Sequence, residues 1–267
     1  MAVAVVGLAV TGLLAFAVVW RVQGGRWERV ETPSMGTVAP VGTLLWVEPV
    51  HVDQLRVGDF VTFHPPGQPG VTYSHRVYRI YPDHTVQTKG VIPAPDPWRL
   101  TAADLVGRVT MRWWGMGWLV QAVPILVVGG LLVGAVLSWL HWSGRPHWRL
   151  PLGIVLASFV LTVAIVWLRP FVNAQQLAFA PTRGGGADAS YVGTGLLPIR
   201  LQANDGPHVD LRAGQVGTVH VTRADAQHKL RVDLRPAVPF WFWVALVLAC
   251  FLPALYSLLV GLRPVPP

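Results

Sequence analysis

Four stretches of this chain, Ala2 to Trp20, Trp118 to Leu140, Pro151 to Leu168 and Pro239 to Gly261, carry no charged side chain. Each holds about eighteen or more residues, which as a helix crosses about 30 Å of hydrocarbon. With 52% hydrophobic and 13% charged residues, the 267-residue chain has the composition of a membrane protein. The first run could be taken for a cleavable signal peptide. It has no charged n-region and no convincing small-x-small cleavage site before Arg21, so it reads as a retained anchor. The missing n-region leaves room for a start further upstream.

The loop "HWSGRPHWR" (residues 141–149) and the tail "LRPVPP" carry arginines, which places both on the cytoplasmic side. With four spans, residues 21–117 and 169–238 then share the outer face. Arg21, Arg26 and Arg29 follow the first span closely and argue the other way. The expected order is a transmembrane anchor (1–20), a first outer domain (21–117), a span (118–140), a cytoplasmic loop (141–150), a span (151–168), a second outer module (169–238), a span (239–261) and a cytoplasmic tail (262–267). The fold expected is a membrane protein with a mainly β extracytoplasmic domain and a second small β module on transmembrane helices.

The net charge of +8 comes almost wholly from arginine, since Lys89 and Lys229 are the only lysines. The arginines are scattered and lack the clustered basic and aromatic patches of nucleic-acid binding, so membrane lipid is the expected partner of this charge. The single cysteine, Cys250, permits no internal disulfide, and no His/Cys spacing suggests structural zinc.

The first outer segment reads as short strands broken by turn signals: "TLLWVEPV", "DFVTFHPPGQPG", "YSHRVYRIY", "HTVQTKG" and "LVGRVTMRWW". In the second, "LPIRLQA", "VDLRAGQVGTVHVT" and "KLRVDLRP" follow a glycine-rich start, and no catalytic grouping stands out. Hydrolysis of a peptide needs a nucleophile, a base, a group that orients the base, and oxyanion donors. The first segment offers Ser34 in "TPSMG", His75 in "YSHRVY" and Asp96 in "APDPW". Each also has a plainer reading: a turn serine after proline, a half-buried strand histidine, an aspartate opening a turn between two prolines. Met35 can be an ordinary apolar contact, and Asp59 in "VGDF" reads as the turn before a strand.

The stretches "PSMGTVAPVGTLLWV", "VGDFVTFHPPG", "YSHRVYRI", "TKG" and "LVGRV" together resemble the successive boxes of type I signal peptidases, in the branch that uses serine and histidine. The resemblance covers about a third of the chain, Ser34 to Val109. It implies a serine endopeptidase of the cell membrane, active on signal-peptide-bearing precursor proteins beside the secretion machinery, with no cofactor and no metal. It implies Ser34 as nucleophile, His75 as general base and Asp96 as the orienting acid, with Asp104 as the rival acid. The oxyanion donors implied are the Ser34 amide and the Thr32 hydroxyl. Met35, Leu44, Leu45 and Val61 are candidate walls of the substrate pockets. A lysine base starts near pKa 10.4 and histidine near 6.5, so histidine accepts a proton near neutral pH without deep burial; a dyad of Ser34 with Lys89 is the alternative. Thr37 stands where the family has proline and Val91 where it has aspartate. These departures leave open a non-catalytic binding or assembly relative, and the second outer module with the third and fourth spans leaves open a peptidase dedicated to one or a few substrates.

Overall fold

The computed structural model describes residues 11–12, 15–144, 148–182, 186–203, 206–222 and 231–261. Residues 11–12 and 15–22 are helical; the rest of the first apolar run lies outside the described residues, as does the tail from 262. Helices and sheets are mixed along the chain, and two compact units form. One comprises residues 1–117 with 213–216, the other 118–212 with 217–267.

The first unit is built on a six-stranded antiparallel sheet. Its strands are β1 (Arg26–Arg29), β2 (Leu44–Glu48), β3 (Phe60–Phe63), β4 (Tyr73–Ile80), β5 (Val86–Lys89) and β6 (Leu105–Trp113), in spatial order β1-β2-β6-β3-β4-β5. β6 returns to the middle, pairing Val47 with Val109 on one side and Val61 with Arg108 on the other. Register shifts at Trp46/Val47, Thr62/Phe63 and Val77/Arg79 bend the strands. Such bulges raise local twist and re-aim side chains, and here they gather two apolar clusters. Val52, Leu55, Val61, Phe63, Val77, Val86 and Leu100 form one. Val30, Met35, Ala39, Leu45, Val47 and Phe60 form the other. β1 was not anticipated, because "RWER" has no apolar alternation; it forms as an edge strand whose backbone pairs with β2, Trp27 opposite Trp46.

The second unit contains helices α1 (Met116–Trp142), α2 (Arg149–Leu168) and α3 (Phe240–Gly261) and the strands β7 (Ala174–Pro181), β8 (Ala187–Gly193), β9 (Ile199–Ala203), β10 (His208–Leu211), β11 (Val216–Val221) and β12 (Val232–Pro236). The strands make two three-stranded sheets, ordered β10-β9-β12 and β11-β8-β7. Ile199, Leu201, Ala203 and Leu211 meet Val219 and Val221 in their shared core. α1 and α2 are long and apolar enough to cross a membrane. Their surfaces display Leu131, Val155, Phe159 and Val166, an apolar face that water does not tolerate over such an area.

Candidate active site

Ser34 lies in a single 3-10 turn, Pro33–Met35, that follows extended Thr32. Pro33 sets the turn's first φ, and its missing N–H costs nothing there because that position has no internal acceptor. The turn closes on Gly36, whose φ of 51° suits glycine and whose amide donates to the Pro33 carbonyl. Met35, 1% exposed, points into the second apolar cluster and pins the turn. The carbonyl of Ser34 accepts from the amides of Val91 at 2.8 Å and Ile92 at 3.0 Å. The "TKG" turn therefore holds the backbone of the serine. A Cβ on Gly90 would stand 2.9 Å from that same carbonyl oxygen.

His75 sits in β4 opposite Val61 of β3. Its ring contacts Phe63 edge-on and Tyr73 at centroid distances of 6.0 and 5.9 Å. Nε2 of His75 is 3.0 Å from Oγ of Ser34, and Nδ1 is 2.8 Å from Oδ2 of Asp96. His75 and Asp96 are 4% and 7% exposed. An ionised carboxylate only accepts, so Nδ1–H donates to Asp96 and the lone pair of Nε2 accepts from the serine hydroxyl. Asp96 is itself fixed. Thr88 donates its hydroxyl to Oδ2 at 2.5 Å, the Asp96 amide donates to the Thr88 carbonyl, and Gln87 donates to the Asp96 carbonyl. Thr88 and Gln87 were not singled out from the sequence, although Thr88 is the threonine of "TKG".

The rival assignments go elsewhere. Asp104 accepts from the amide and hydroxyl of Thr101 in its own turn. The Lys89 ammonium lies over the ring of Tyr78. Asp59 accepts from the Arg56 amide before β3. The hydroxyl of Thr32 stands 3.4 Å from that of Ser34, and the Ser34 amide, at the start of its turn, has no acceptor within the turn.

A cleft of about 540 Å³ opens at Ser34, walled by residues 28–32 on one side and 70–74 on the other. The candidate pocket residues do not line it. Leu45 and Met35 are spent on the second apolar cluster, Val61 on the first, and Leu44 is buried as well. Val30 and Tyr73 supply the apolar walls instead. In the same wall, burial pushes the Glu28 carboxyl above its usual range, against the smaller downward pull of Arg26, His64 and Arg21. Among the described residues no grouping of three or more metal-ligating side chains occurs.

Side chains so placed form a hydrogen-bonded line of serine, histidine and aspartate, in which the imidazole can accept the hydroxyl proton. No protein-family model matches the chain, and no solved structure matches it. The fluoride-specific ion channel FluC of Caulobacter vibrioides, in each of two strains, is 33% identical over 81 residues. That likeness covers 29% of this chain, and the chain spans 64% of the channel's length.

Proposed function

We propose that this chain is a membrane-anchored, multi-pass serine endopeptidase that removes N-terminal signal peptides from exported precursors, with its catalytic domain on the extracytoplasmic face. The observation that carries the reading is the unbroken hydrogen-bond path from Ser34 through His75 to Asp96 beside an open cleft. His75 takes the hydroxyl proton as Ser34 attacks the scissile carbonyl, and returns it to the leaving amine. Asp96 holds the imidazole in the tautomer that leaves Nε2 free to accept, and stabilises the imidazolium. The Ser34 amide and the Thr32 hydroxyl face the oxyanion. Val30 and Tyr73 bound the space for short side chains. No step in this scheme calls on a cofactor.

The test is cleavage of a precursor with an Ala-x-Ala signal peptide by the purified, detergent-solubilised protein. Ser34→Ala and His75→Ala are each expected to lower kcat by on the order of 10⁶; cleavage retained by Ser34→Ala would sink the proposal. A parent that cleaves one native precursor but not general ones fits a dedicated peptidase, and one that never cleaves fits a non-catalytic relative. The 81-residue likeness to a fluoride-specific channel favours a second reading, ion conduction by the apolar helices. It leaves the buried His75 and Asp96 pair without a role. Fluoride efflux from protein-loaded liposomes, unchanged by Ser34→Ala, is the result that would support it.

A further inference from the structure

A second cavity, of about 420 Å³, lies where the chain leaves the first apolar run. Trp20 and Arg21 from the last helical turn, and Arg26, Trp27 and Glu28 from β1, line it. Gly25 makes the fold-back possible: a Cβ there would stand 2.4 Å from the Trp20 ring. Among the described residues, no direct hydrogen bond or ion pair engages the side chains of Arg21, Arg26 or Glu28. They act on one another only through space. The Trp20 indole N–H is buried with no acceptor. The cavity is thus lined by two arginines without a direct partner and one half-buried carboxylate.

The depth of this cavity is set by its neighbours. Trp20, Trp27 and Trp113 each pack at a tilt against Trp46, with ring centroids 5.0 to 5.6 Å away, an aromatic group of the kind that sits at headgroup level. Two guanidinium forks match the oxygens of a phosphodiester. A carboxylate on the wall of a cavity that indoles also line suits a primary ammonium. A purely anionic group would meet Glu28; a headgroup carrying both charges satisfies all three side chains.

We propose that this cavity binds the phosphoethanolamine headgroup of a membrane lipid, its phosphate between Arg21 and Arg26 and its ammonium on Glu28. The inference rests on the membrane-anchored reading of the chain, but not on peptidase activity. It also gives Arg21 and Arg26 a use on the outer face, where arginines that follow a span otherwise oppose the charge bias of the loops.

The experiment is native mass spectrometry of the full-length, detergent-solubilised protein with phosphatidylethanolamine, phosphatidylcholine or phosphatidylglycerol of identical acyl chains. Retention of phosphatidylethanolamine is expected to exceed that of the other two by about tenfold, and Arg26→Gln to remove about tenfold of it. Glu28→Gln should level phosphatidylethanolamine with phosphatidylcholine. Arg21→Gln serves if Arg26→Gln does not fold, as judged by its melting curve. Equal retention of the three lipids, or a preference untouched by the variants, would overturn the proposal. Displacement by soluble glycerophosphoethanolamine at equal concentration would overturn the lipid assignment in favour of a free phosphate compound. A protein inactive as a peptidase that still selects the lipid leaves this inference standing, whereas release of the protein from washed membranes removes its footing.

Discussion

Asp96 is the residue on which the imidazole's orientation depends, because Nδ1 of His75 has no other partner among the described residues. Asp96→Asn keeps the shape but offers an amide N–H in place of a carboxylate oxygen, which favours the wrong tautomer. We expect kcat to fall by about 10⁴ with the melting temperature little changed, measured by steady-state cleavage beside a thermal scan. Glu28 offers a test through pH. Its carboxyl is raised by burial in the folded chain, so the folded state binds that proton more tightly than the unfolded one. Stability is therefore fullest below the unfolded value of 4.5 and declines as pH rises through the higher folded value. Glu28→Gln removes that decline. It should melt later than the parent at pH 8 and alongside it at pH 4; equal melting at both would contradict the burial seen in the cleft wall.

At the scale of elements, the Ser34 turn and the 90–96 turn are one assembly, joined by the Val91 and Ile92 amides on the Ser34 carbonyl. Gly90→Ala puts a methyl against Pro93 and that carbonyl oxygen. We expect cleavage to fall by about 10² through misplacement of the nucleophile while the sheet persists, with kcat and near-ultraviolet dichroism read together. Strands β2 to β6 were legible because apolar residues recur between turn signals, and the helices because charge is absent over whole spans. β1 was not, since an edge strand is held by its backbone and leaves its side chains free of any period; the edge strand β7, almost wholly exposed, hid in the same way, and the central strand β8 was masked by its small residues beside the glycine-rich stretch. Ser34, His75 and Asp96 could be picked from their motifs. The cleft walls could not, because apolar alternation reports which side chains are buried, not which face of which strand borders Ser34. Leu44, Leu45 and Val61 are apolar strand residues, and the core took them.

Taken as a whole, the molecule carries apolar surface along α1 and α2, two helices long and apolar enough to cross a membrane. Sodium carbonate washing of membranes should leave the protein in the pellet, and its appearance in the supernatant would contradict a spanning role for these helices. The contact between the two turns has a consequence in time. A growing chain releases Ser34 well before Val91, Ile92 and Asp96, so the serine first emerges with no base oriented and no brace on its carbonyl. Residues 90–96 supply both at once. A half-made chain therefore carries Ser34 and His75 without the carboxylate that fixes the imidazole and without the amides that hold the Ser34 carbonyl.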